Sequence, residues 1–235
     1  MSNDLHFIQM SILKKLLFAE SLKFSELRPD NNVENNLLTF HLDRLIKDGL
    51  VQKTEDGYKL TPTGKEFANR MDTDNNKVQR QGKISALQCC YRNINGELEF
   101  LVYTRLKHPF YGCQGYPSGK VQYGEQVIAA SKRELLEETG LIGDPEIFMI
   151  DHYIVYKDNE LVEDKYFYFC RYLNPTGELT QSEEGKFEWV KESELDKVWT
   201  KPAEPIERMR YINERIKDTK SPLTFSESIH HTDNF

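Results

Sequence analysis

The feature that most constrains this chain is a change of hydrophobic period across one polar stretch. "NRMDTDNNKVQRQGK", residues 69–83, has few apolar residues, no period, and an abundance of Asn, Asp and Gln. That composition suits a joint better than a core element. Before it, apolar residues recur three and four apart; after it they come as short aromatic and β-branched runs. A chain of 235 residues has enough length for two small cores. The expectation is an α+β protein: a domain at residues 1–72, a linker at 73–83, a second domain at 84–220, and a C-terminal tail at 221–235.

In the first half, "LHFIQMSILKKLLFAE" places Phe7, Ile8, Ile12, Leu13 and Leu16 at helical spacing, and "KFSELRP" reads as a short second helix. A third helix carries Leu38, Leu42, Leu45 and Ile46 on one stripe, with Gly49 as its stop. Asp56-Gly57 signals a hairpin, and Thr61-Pro62 caps and starts a last helix. The order, together with "HLDRLIKDGLVQKTEDGYKLTPTGKEF", resembles MarR-like and ArsR-like winged helix-turn-helix domains over about residues 5–71. The resemblance implies DNA contact by the third helix and the hairpin wing. Its outward residues are Asn35, Asn36, Thr39, Phe40, Asp43, Arg44 and Lys47, with Lys53 and Lys59 on the wing. Residues 1–75 hold 10 Lys and Arg against 12 Asp and Glu, a net of −2. Phosphate contacts dominate DNA affinity. The acidic balance therefore leaves open DNA binding, contact with a second copy as a homodimer, or contact with another domain.

The second half opens with two strands joined at Asn95-Gly96. "EIFMIDHYIVYKD", "DKYFYFCRYL" and "KFEWV" read as strands, "KESELDKV" and "PIERMRYINERIKD" as helices. Between them lies "GKVQYGEQVIAASKRELLEETGL", residues 119–141, with Glu134, Glu137 and Glu138 inside five residues. On a helix running from Glu125 to Thr139 these carboxylates occupy neighbouring faces and repel unless a cation stands among them. Arg133, four residues before Glu137, is expected to brace it through a forked salt bridge, while Ile128 and Leu135 bury the opposite side. Hard oxygen ligands in this number suit Mg²⁺ or Mn²⁺. The glycines before the helix let backbone approach closely.

The spacing Gly119, five residues, Glu125, seven residues, Arg133-Glu134-Leu135, one residue, Glu137-Glu138, one residue, Gly140-Leu141 is the Nudix box at every defined position. Over about residues 83–217 the chain resembles Nudix hydrolases. The resemblance implies an α/β/α sandwich with a mixed sheet. It also implies metal-dependent cleavage of a phosphoanhydride bond in a nucleoside diphosphate linked to another group. Its implied metal ligands are Glu134, Glu137 and Glu138 with the carbonyl of Gly119, and either Glu134 or Glu138 is the base. Arg133, Glu125 and Gly140 support the loop and helix. A further ligand carboxylate comes from "SEEGKFEWV", with Glu183 preferred over Glu184. Tyr153 and Tyr156 either stack on a base or pack as strand residues. Lys107, in the loop "KHPFYGCQGYP", either meets a phosphate or is an ordinary loop charge.

Other features narrow the class. A net charge of −7 argues against a generic nucleic-acid coat. Cys89, Cys90, Cys113 and Cys170 form no C-x-x-C pair and read as reduced core thiols. The start does not read as a secretory leader and no apolar run reaches membrane-spanning length, so a cytoplasmic protein with no membrane partner is expected. His230 and His231 read as solvated rather than metal-bound. Two functions remain: a hydrolase of nucleotide derivatives, or a transcriptional regulator whose second domain senses a nucleotide.

Overall fold

The computed structural model describes residues 5–74 and 77–235. The chain forms two compact units, Met1–Arg80 and Gln81–Phe235.

The first unit contains α1 (Phe7–Leu17), a 3-10 turn (Phe24–Leu27), α2 (Asn35–Lys47), β1 (Val51–Thr54), β2 (Gly57–Leu60), α3 (Pro62–Asn69), β3 (Met71–Asp72) and β4 (Lys77–Val78). Its core joins Ile8, Ile12, Leu13 and Leu16 of α1 to Leu38, Leu42 and Leu45 of α2, all essentially inaccessible. Phe7, assigned to that stripe from spacing, is exposed instead. Thr61 caps α3 by accepting from the Gly64 amide at 2.9 Å, as its position before Pro62 implies. The hairpin forms, but Thr54 pairs with Gly57, so its two loop residues are Glu55 and Asp56 rather than Asp56-Gly57. The stretch expected to be a linker is partly structured: β4 lies within it and pairs antiparallel with β3, at the end of the expected first domain. Residues 75–76 of that linker, and the first four residues of the chain, lie outside the described residues.

The second unit contains β5 (Lys83–Ile94), β6 (Glu97–Arg105), β7 (Gln114–Gly115), β8 (Ser118–Lys120), α4 (Val127–Thr139), β9 (Leu141–Ile142), β10 (Glu146–Lys157), β11 (Glu160–Leu173), β12 (Thr176–Gly177), β13 (Gly185–Lys191), α5 (Leu195–Val198), α6 (Ile206–Lys217) and β14 (Thr224–His231). The main sheet runs β13-β6-β5-β11-β10-β14, with β7 on β6 and β8 on β5. The β5–β11 and β10–β14 pairs are parallel and the others antiparallel, so the sheet is mixed. Alternation along β5 sends Ala86 and Cys90 to a core under Leu135 of α4, and Leu87 and Cys89 to a core under Met209, Ile212 and Ile216 of α6. Helices thus cover both faces. The adjacent cysteines point into opposite cores, and all four thiols are free and buried.

Asn95 and Gly96 both take positive φ at the β5–β6 turn, as the dipeptide implies. Asp158-Asn159 makes a second such turn between β10 and β11. Two expectations need correction. Residues 221–235 are not a free tail: β14 adds to β10 from Met149↔Thr224 to Tyr156↔His231. The α4 helix begins at Val127, leaving Glu125 in the preceding loop, and its packed back is Ala130, Ser131, Leu135 and Thr139, with Ile128 only half-buried. Among the described residues no helix is long and apolar enough to cross a membrane.

Candidate active site

Close backbone approach sets the geometry of the glutamate-rich segment. A Cβ placed on Gly119 of β8 would lie 2.0 Å from Cδ of Glu134, so the glycine leaves room for the Glu134 carboxylate to lie directly against this strand. At the other end Gly140, with φ +73°, closes α4 in the left-handed conformation.

Arg133 is the hub between loop, strand and helix. Its Nε and Nη2 donate to the two oxygens of Glu125, each at 2.9 Å, and Nη2 also reaches the Lys120 carbonyl at 3.1 Å. Nη1 donates to Glu134 at 2.8 Å and to Glu137 at 3.1 Å. The planar fork therefore holds Glu125, not Glu137 as helical spacing suggested. Glu125 also accepts from the Gln122 amide at 3.0 Å, which closes the loop. The Arg133 guanidinium and that amide hold the Glu125 carboxyl down at about 2.

Glu138 has the opposite environment. Burial, with Glu134 one helical turn away, pushes its carboxyl up to about 7, against the pull of Lys107 and Arg105. Its buried Oε2 has no hydrogen-bond partner in the protein. A buried acceptor without a donor, one helical turn from the carboxylate that lies against Gly119, fits a hard cation. Among the described residues no three His, Cys, Asp or Glu side chains stand grouped as a ready-made metal cluster. The reason is visible: Arg133 draws Glu134 and Glu137 towards itself, and Glu137 is largely exposed.

Around this segment, Lys107 is ion-paired with Glu184. Burial and Arg105 lower its pKa, while Glu138 and Glu134 act to raise it, so it stands in the field of both glutamates. Glu183, the carboxylate preferred from spacing, is exposed on the turn before β13. Its neighbour Glu184 is the one engaged at Lys107, and the Glu184 carbonyl accepts from the Tyr103 hydroxyl at 3.0 Å.

Beside Gly119, Ser118 lines a cavity of about 120 Å³. It opens where β5 and β6 part: they pair only from Tyr91↔Phe100 to Ile94↔Glu97, and β8 and β7 take over as their partners beyond. Tyr103 and Arg105 line the cavity too, and both feel the Glu138 charge. Tyr153 is buried on its wall, and burial with the adjacent Glu204 raises its pKa. Tyr156 is not on the cavity; it stacks on His231, with ring centroids 5.8 Å apart. Sequence reasoning missed Arg105, Asp151, Lys165, Glu204 and Arg208, all of which line the cavity. No spacing marks the set, because four different segments, β6, β10, β11 and the start of α6, bring it together.

On the first unit, Asn35, Asn36, Thr39, Arg44 and Lys47 are all exposed on α2, and Asn35 accepts from Arg28. They share that surface with Asp43, Asp48, Leu37 and Phe40, the last 60% exposed.

The family model described as NUDIX domain matches residues 85–212. A model described only as a domain of unknown function, DUF7347, matches residues 6–71. No curated protein matches the chain. Among solved structures, the MutT protein from Bacillus halodurans is similar at 22% identity and a TM-score of 0.51, covering 65% of this chain and 93% of its own. The NUDIX domain of Shewanella oneidensis NrtR, solved with ADP ribose, is similar at 14% identity and a TM-score of 0.50, covering 67% of this chain and 99% of its own. At these identities the likeness shows the fold.

Proposed function

Because this chain belongs to the Nudix family, we propose that it hydrolyses the phosphoanhydride bond of a nucleoside diphosphate linked to another group. The observation that carries the reading is the pairing of two carboxyl environments on one short segment. Glu125 is locked as an anion by Arg133, while Glu138 is buried, without a donor, and poised near neutrality. An inert acidic helix face has no reason to bury one carboxyl and clamp another.

Glu134 and Glu138, with the Gly119 carbonyl, are the groups to hold Mg²⁺ or Mn²⁺; Glu137 and Glu183 or Glu184 complete the set from more exposed positions. A bound divalent cation supplies charge neutralisation on the phosphate oxygens and a lower pKa for an attacking water. Glu138 is suited to take the proton of that water, because its buried Oε2 has no hydrogen-bond donor in the protein to compete for it. Water adds to phosphorus, the bridging oxygen leaves with the other phosphate, and the proton passes to the carboxylate. Arg105 and Lys107, both within the field of Glu138, are placed to meet phosphate charge. Arg133 keeps its role through Glu125, Glu134 and the Lys120 carbonyl, as a positioning group. ADP ribose, the ligand of the Shewanella domain, is a nucleoside diphosphate linked to a sugar and belongs on the substrate panel. The test is phosphate or nucleotide release from such a panel with Mg²⁺ and with Mn²⁺. Hydrolysis of at least one member supports the reading, and none with any member contradicts it.

A second reading is a regulator that senses a nucleotide and binds DNA through the first unit. The exposed polar and basic row Asn35, Asn36, Thr39, Arg44 and Lys47 on α2 supports it. Exposed Leu37 and Phe40 in the same surface support contact with a second copy instead.

A further inference from the structure

The two ends of the main sheet are finished differently. At one end β13 carries Lys186, Glu188 and Lys191 exposed along its length. Charged side chains of this kind keep an edge strand from pairing with another chain. At the other end β14 lies beside β10, and among the described residues no strand lies beyond it. Its sequence, "TFSESIHH", holds no proline, lysine or arginine, and it pairs with β10 from Thr224 to His231 without a bulge.

One bond gives the direction of the free backbone groups. The Thr232 amide donates to the Tyr156 carbonyl at 3.0 Å, continuing the ladder to β10. Backbone groups alternate sides along a strand, so the even-numbered residues of β14 turn theirs to β10. Phe225, Glu227, Ile229 and His231 turn theirs outward. Among the described residues no turn, loop or cap bonds to the backbone of these four. A row of unpaired N–H and C=O groups on an edge is a template for another strand.

The side chains point the same way. Those of the same four residues are exposed on the face of the sheet that carries α4, with Phe225 at 62% and Ile229 at 66%. Ile150 and Ile154, their neighbours on β10, are only half-buried. The one acid in the row, Glu227, stands 3.3 Å from His152 Nδ1. The other side of β14 is committed: Ser226 and Ser228 donate to Asp151 at 2.7 and 2.6 Å. The strand therefore cannot slip by one residue and bury its apolar row.

We propose that β14 is the contact between two copies of this chain, paired edge to edge and antiparallel about a two-fold axis. The edge suits a second copy because it is self-complementary. With the axis at Ile229, that residue faces itself and Glu227 faces the partner's His231, and each facing pair exchanges both backbone bonds. With the axis at Glu227 two carboxylates would oppose each other, which is destabilising. The pairing joins two sheets into one and covers the unprotected edge.

The test is sedimentation equilibrium of the full chain over a concentration series, with hydrogen exchange of β14 read at both ends of the series. A reversible dimer is expected, with protection of the Glu227, Ile229 and His231 amides that grows with concentration. Ile229→Pro removes an outward amide without touching the ladder to β10, and Ile229→Lys puts a charge on the axis. Each should raise the dissociation constant at least about tenfold, while Phe40→Ser on α2 should leave it unchanged. Melting curves identify the variants that fold. A wild-type chain that stays monomeric throughout the series would overturn the proposal whatever the variants do. So would a dimer in which those amides exchange at the same rate at every concentration, or one that persists unchanged in a folded lysine variant.

Discussion

Two charged surfaces, one on α4 and one on α2, carry similar residues to different ends. On α4, Arg133 donates to Glu125, Glu134, Glu137 and the Lys120 carbonyl, so loop, strand and helix share one cation. On α2, Asp43, Arg44, Lys47 and Asp48 are all exposed and form no ion pair among the described residues. The α2 charges pair with nothing among the described residues and so do not fix that helix, whereas the forked, networked contacts of Arg133 tie α4 to its loop and strand. The lesson is in the geometry. Charges locked to each other across three elements define atomic positions, which chemistry requires. Charges free on one helix define only a potential, which suits a partner that brings its own order.

The largest effect should come from Gly119. Gly119→Ala forces the Glu134 carboxylate aside, because the new methyl would overlap its Cδ. The obstacle is the end of a flexible side chain, so the melting temperature should move little. Turnover should fall by about two powers of ten, the usual cost of misplacing a reacting group by an ångström. Near wild-type turnover would show that the approach of β8 to α4 does not position the site.

A smaller loss is expected from Arg133→Lys, roughly ten- to a hundredfold in kcat, since an ammonium keeps the charge but cannot bind both oxygens of Glu125 while reaching Glu134. Measured kcat equal to that of the wild-type protein would mean that charge alone matters there, and the contrast with α2 would vanish.

Arg44→Ala combined with Lys47→Ala should leave hydrolysis unchanged within about twofold, and should weaken any binding to DNA fragments while reducing its salt dependence. Anisotropy titrations at two salt concentrations read this out. Binding indifferent to both salt and the substitutions would remove this face as a DNA surface. Association of the chain with itself, lost on Phe40→Ser, would assign α2 to a second copy.

How much of this was legible depends on how local the determinants are. Asn95-Gly96, Thr61-Pro62 and the α4 glutamates act within a few residues, and each appears where the sequence placed it. The fork from Arg133 to Glu125 spans eight residues and crosses a helix end, so helical spacing pointed to Glu137 instead. Strand β14 alternates half-buried and exposed residues along its length, but its partner β10 lies some seventy residues earlier, and an isolated run with two histidines looked like a tail. Glu204 was the least visible. Its burial depends on Tyr153 and His230, which only the folded sheet brings to it.

The most direct measurement is the turnover of Glu138→Gln against the wild-type chain on the best nucleotide of the panel, at saturating Mg²⁺ and again at saturating Mn²⁺. The amide keeps size and hydrogen-bonding shape but removes the charge that binds a cation and takes a proton. The expected result is a folded variant with kcat reduced about a hundredfold or more under both metals. A folded variant within a few-fold of the wild-type protein would contradict the assignment of Glu138 to the chemistry.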